Sequence, residues 1–220
     1  SCAKFCRVRW GRGSTTRVME FVVKTLNSRS VAAYVILIAL MAGMGIYSFV
    51  NMRHLTDKLY QINEVNGAKQ RYAINFRGSV HDRSILVRDV VLAEDVVARE
   101  AAIAGIETLR AFYDGSDAQM QAMFADATPD LPEERTILER INQIKDRTIP
   151  VVDQIVADVN AGRRDQAQDT LMTQARPLFV EWLGEINRFI DKQEELNKSI
   201  GAAVNERTGS FSLNMALIVG

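Results

Sequence analysis

Arg77, His81, Ser84 and Arg88 are the residues of this sequence best equipped to recognise a ligand. On a helix turning about 100° per residue, with Arg77 as zero, the other three fall within about 40° of it, one turn apart along a single stripe. Val80, Val87 and Val91 flank the stripe on one side and Ile85 and Leu92 on the other, so the polar residues are expected within the apolar contact sector. Toward the N-terminus the same stripe carries Gln70, Asn66 and Asn63 before reaching Leu59 and Leu55. Two arginines and a histidine placed there cost several kcal/mol if unpaired. They are expected to meet an anion, a carboxylate from another helix, or water in a cavity. The planar fork of arginine matches a carboxylate bidentately, and His81 adds a donor for a second carboxylate or a hydroxyl. The expected small-molecule ligand is therefore a small organic acid. Arg135, near the start of the third bundle helix, is expected at the same end as Arg88, joining the cavity from the opposite side. By the same angular count Asp82 and Arg83 point away, which makes Arg83 a weaker candidate. The alternative is that Arg77 and Arg88 pair with acidic side chains of neighbouring helices or line a solvated dimer groove.

Other chemistries find little support. The sequence has no Gly-rich phosphate loop, no H-E-x-x-H and no E-x-x-H pair of the kind a di-iron bundle uses. Its two histidines, His54 and His81, are too far apart to share a metal. No catalytic residue, metal or cofactor is expected, and the chain is not expected to be an enzyme. Cys2 and Cys6 form a C-x-x-x-C pair without two further ligands, too weak for a zinc site. Thr148 lies on a core seam, where threonine can satisfy itself on the preceding backbone. His54, beside Arg53, fits an interfacial position.

These residues need a scaffold, and the sequence describes a helical one. At 220 residues, with 47% hydrophobic and 25% charged residues and four prolines, the chain has apolar material for a packed domain. The formal net charge is zero, but the charges are unevenly placed. Val31 to Val50 is a run without a charged residue, long enough at about 1.5 Å per residue to cross a bilayer core of roughly 30 Å. Before it stand Lys4, Arg7, Arg9, Arg12, Arg17, Lys24 and Arg29 against the single acid Glu20, a basic excess that marks the cytoplasmic side. A cleaved signal peptide is disfavoured because the apolar run is too long and lacks a small-x-small end. Nucleic-acid binding is excluded on the same ground, since the basic arm is short and flanks a membrane. Met19 would open a short conventional leader, so nothing is built on residues 1–18.

The expected order is a cytoplasmic arm over 1–29, a first transmembrane helix over 30–52, a periplasmic four-helix bundle over 53–209, and the start of a second transmembrane helix over 210–220. Turn signals at Ala93 to Asp95, at Ala127-Thr128-Pro129-Asp130-Leu131-Pro132 and at Asn160-Ala161-Gly162 divide the bundle into helices near 53–92, 95–125, 132–161 and 164–209. Short connections favour an up-down-up-down arrangement. The seams are Ile137, Ile141, Ile144, Thr148, Val151 and Ile155 on the third helix. On the fourth they are Leu171, Ala175, Leu178, Trp182, Phe189, Gln193, Leu196 and Ile200. Pro150 and Pro177 fall inside these patterns, where each should kink the helix or remove a backbone hydrogen bond.

This all-α order resembles the four-helix-bundle sensor region of methyl-accepting chemotaxis proteins. The segment Arg77-Gly78-Ser79-Val80-His81-Asp82-Arg83-Ser84, continuing through Arg88-Asp89-Val90-Val91-Leu92, is similar to proteobacterial members. The resemblance implies a receptor in a bacterial inner membrane, a homodimer embedded in the lipid bilayer, and a link to a chemotaxis kinase complex through a cytoplasmic part beyond residue 220. In enteric aspartate receptors, which the fold resembles, ligand-contacting arginines come from the first bundle helix and act across a dimer interface. The spacing here differs, so no residue roles transfer. The resemblance further implies a shift of the fourth helix by roughly 1–2 Å on ligand binding, with Gly201 and Gly209 as points that would soften it. Two alternatives stay open: the sensor of a histidine kinase or cyclase, and a membrane-tethered bundle without a small-molecule ligand.

Overall fold

The computed structural model describes residues 28–125 and 131–219, with side chains from Ser30 to Ser212 outside that gap. The N-terminal arm with both cysteines, and the core of the turn at Ala127 to Asp130, lie outside the described residues. All described elements are helical. They are α1 (Ser28–Tyr60), α2 (Gly67–Leu92), α3 (Val96–Ala125), α4 (Pro132–Asn160), α5 (Arg164–Thr170) and α6 (Arg176–Val219). Two π-helical segments, Gln61–Asn66 and Leu171–Ala175, precede α2 and α6. No strand occurs among the described residues.

The chain divides into two compact units between Leu55 and Thr56. In the first, the apolar stretch of α1 leaves large side chains such as Val35, Ile38, Met41 and Ile46 exposed. Among the described residues it is the one helix long and apolar enough to cross a membrane, by length and composition. The second unit is the bundle. There α2 packs along α3 on one flank and α6 on the other, while α4 packs on α5 and α6. The apolar run from Phe211 is helical as far as Val219.

The helix ends follow local chemistry. Asp95 caps α3, its carboxylate accepting from the Ala98 N–H at 3.0 Å. Gly162 takes φ 77°, which closes α4 with hydrogen bonds from Arg163 N to Asp158 O and from Gly162 N to Val159 O. At the other end of α4, Glu134 reaches back to accept the Leu131 N–H at 2.8 Å.

Packing corrects two seam positions. On α4, Val152 is buried and Val151 only partly so; on α6, Phe179 is buried where Leu178 is half-buried. The second change accompanies the π segment. Pro177 has no N–H and its ring crowds the carbonyl of Thr173, which lies within that wide turn. The fourth bundle helix is thus irregular next to Pro177, in the form of a π segment just before it. Pro150 stays inside a continuous α4.

Candidate functional site

The core face of α2, with the last residue of the π segment before it, runs through Asn66, Lys69, Ala73, Phe76, Val80, Arg83, Val87 and Val90, all buried. This alternation of three and four residues is a heptad seam, and three of its positions are polar or charged. The stripe of Arg77, His81, Ser84 and Arg88 lies beside the seam, not within it.

Arg77, His81 and Arg88 are exposed and Ser84 is half-buried. The expected cost of burying these charges therefore does not arise. His81 Nδ1 lies 3.1 Å from Asp82, the Ser84 hydroxyl donates to His81 O at 2.6 Å, and Arg88 pairs with Asp89 at 3.6 Å. The stripe instead lines two open grooves between α2 and α6. One, of about 400 Å³, is bounded by Arg77, Gly78, His81, Leu183 and Asn187. The next, of about 200 Å³, has Ser84, Arg88 and Arg176 around the apolar side chains of Met172, Val180 and Leu183.

Arg135 does not join them. In an up-down-up-down bundle the start of α4 lies beside the end of α3 and the start of α2. Arg135 accordingly donates to Phe124 O at 3.2 Å and lies over the Phe124 ring. Phe124 also receives Lys69, whose Nζ is 4.5 Å from the ring centroid. Lys69 is 19 residues before Arg88, about 28 Å along the helix, so Arg135 and Arg88 occupy opposite ends of the bundle. Expecting them at one end reversed the direction of α4.

Arg83, the weaker candidate by sequence, is the arginine that enters the core. It is 2% exposed, with its guanidinium 5.0 Å from the Trp182 ring centroid and 5.5 Å from that of Tyr113. These rings belong to an aromatic layer in which Phe76 stacks on Tyr113 at 4.4 Å and Tyr113 meets Trp182 at 5.3 Å. Burial lowers the Arg83 pKa, partly opposed by Tyr113. Burial also pushes the Tyr113 phenol well above its usual value. Nearby Arg110 donates to Asp153 at 2.6 Å; burial works against its charge, but Asp153 and Glu107 outweigh it and hold its pKa up. The heptad spacing from Ala73 to Val90 was the signal that would have found Arg83. Anchoring the helix phase on Arg77 concealed it.

A third polar set holds the end of the bundle near Arg135. Lys69 and Glu134 form a buried ion pair, Gln193 donates to Glu134 at 2.5 Å, and Asn66 donates to Asn197 at 2.9 Å. Among the described residues no group of His, Cys, Asp and Glu is arranged to hold a metal ion.

No curated protein matches the sequence. The family model of a four-helix-bundle sensory module for signal transduction matches residues 25–207, which takes in the described bundle from α2 to most of α6. With helices, caps and seams in this order, the chain belongs to the four-helix-bundle sensory modules of methyl-accepting chemotaxis proteins.

Proposed function

We propose that this chain is the sensor region of a bacterial transmembrane chemoreceptor, with its N-terminus in the cytoplasm and its bundle in the periplasm. It binds a small organic acid in the grooves between α2 and α6 and passes a displacement of α6 to a signalling part that follows residue 220. The observation that carries this reading is that one wall of both grooves is α6 itself. Leu183 and Asn187 line one groove and Val180 the other, on the helix that runs on to Val219. A carboxylate held by Arg77 and His81, or by Arg88 and Arg176, bears directly on that helix. The open grooves and the exposed Met172 and Val180 suit closure by a second copy in a homodimer. Ligand acts only through its different affinity for the two positions of α6.

The test is thermal unfolding of the full chain in detergent against a panel of organic acids and amino acids, with Arg77→Ala and Arg88→Ala alongside. A ligand at 100 times its Kd adds about 2.7 kcal/mol, a midpoint shift of several degrees for a chain of this size. A shift in the wild type that Arg77→Ala or Arg88→Ala loses supports the groove which that arginine lines. Equal shifts in all three overturn it.

A further inference from the structure

Arg83 Nε and Nη2 are buried and have no hydrogen-bond partner in the protein. These two atoms are the side-on edge of the guanidinium, the edge that takes both oxygens of one carboxylate. Arg110 Nε and Trp182 Nε1 are likewise buried without a partner, and both are donors only. Arg83, Arg110, Trp182 and Thr148 line a common narrow gap between the helices. Among the described residues no carboxylate pairs with Arg83, whereas Arg110 is held on its other nitrogens by Asp153 and Glu107. Thr148 donates its hydroxyl hydrogen to Ile144 O at 2.7 Å, which leaves its oxygen able to accept. The gap is therefore surrounded by unused donors, none of which meets an acceptor in hydrogen-bond geometry; the buried Tyr113 hydroxyl nearby is likewise unpartnered. Buried donors left unmade cost about 1–3 kcal/mol each, and more when charged. The rings of Tyr113 and Trp182 offset part of this for Arg83 through cation–π contact.

We propose that this gap is an internal anion site, separate from the α2–α6 grooves, that takes a single small carboxylate on the Nε–Nη2 edge of Arg83. Arg110 Nε and the Trp182 indole N–H supply the further donors. In the present structure the gap is too narrow for a free water-sized sphere, so a carboxylate enters only as its walls part. Those walls are α2, α3, α4 and α6, and α6 contributes Phe179 and Trp182. Occupancy therefore favours a bundle with α6 displaced from Arg83. Neither the donor cluster nor its geometry depends on the groove site.

The test uses the full chain in detergent with Trp10→Phe, which leaves Trp182 as the sole tryptophan. Acetate is titrated at constant ionic strength against chloride and sulfate, following Trp182 fluorescence and the thermal midpoint. Expected are a saturable change in Trp182 emission with acetate alone and a midpoint rise of about 3–6 °C at tenfold its Kd. Arg83→Met removes both responses and raises the midpoint in chloride, because it takes an unpaired charge out of the core. Arg83→Lys keeps the charge, loses the fork, and also loses saturation. The double variant Arg77→Ala/Arg88→Ala keeps the response, which separates this site from the grooves. An acetate response that survives in Arg83→Met, or that chloride or sulfate matches, overturns the proposal. So does a flat titration. If the response survives in Arg83→Met but is lost in the double variant, the internal site falls and the grooves stand.

Discussion

Lys69 Nζ lies 3.2 and 3.3 Å from the two carboxylate oxygens of Glu134, and the two side chains are 0% and 2% exposed. The pair ties α2 to α4, while Gln193 brings in α6. Glu134 is also the residue that accepts the Leu131 N–H at the start of α4. One carboxylate thus anchors a helix start and three helices.

Breaking this pair from one side strands a buried charge. Lys69→Met is expected to destabilise the bundle by about 3–5 kcal/mol, and Glu134→Leu by a similar amount. Replacing both partners with apolar residues, as in Lys69→Met/Glu134→Leu, recovers most of that loss, less the lost bonds to Gln193 and Leu131. Urea unfolding of the three variants provides the double-mutant cycle. Additive losses would show that the two side chains do not act as a pair.

Tyr113 carries a buried hydroxyl without a hydrogen-bond partner. The Trp182 indole N–H lies near enough to favour the ionised phenol slightly, but the geometry falls short of a hydrogen bond. Tyr113→Phe keeps the stack on Phe76 and removes only the stranded oxygen. It is expected to be neutral or to stabilise by up to about 1 kcal/mol. A loss above about 1 kcal/mol in denaturant unfolding would mean that the hydroxyl is satisfied.

Asp158, at the C-terminal turn of α4, accepts from Gln154 at 3.0 Å and from Arg163 Nε at 2.9 Å, and these bonds hold its carboxyl below the usual range. Its side chain is covered by that turn but lies close to the surface. The unfolded value is about 3.9, so the folded pKa is the lower of the two. Its stabilising contribution is then fully present above about pH 4 to 5 and is lost as the pH falls through the folded value. Asp158→Asn should melt below the wild type at pH 7, and the difference should close in acid. A difference that stays constant from pH 7 to pH 2.5 would dissociate the effect from this titration.

Much of the bundle was legible because its signals are local. Asp95 as a cap, Gly162 at the end of α4 and the heptad run from Ile137 to Ile155 each depend on neighbours within a few residues. Register past Pro177 was less accessible, since no residue type announces the π segment that places Phe179 inward. The candidate site fared differently. Arg77, His81, Ser84 and Arg88 do share one side of α2 and line adjacent grooves, as their spacing required. Their depth was misjudged, because valines flank both this stripe and the true seam. The true seam includes Lys69 and Arg83, and charged residues at core positions defeat any reading that equates polarity with surface. Arg135 was misplaced by chain direction alone.

The segment Leu171–Ala175 carries one residue more than a plain helical turn would hold. It works as a length of slack in the fourth bundle helix, because the α-helical stretches on either side can keep their facing while the surplus residue is accommodated between them. Deleting the exposed Met172 should therefore leave Trp182 and Phe189 pointing inward and convert the wide turn to ordinary helix. The same economy gives an effector that tightens or loosens this turn a means of changing the helix's reach without turning its core face.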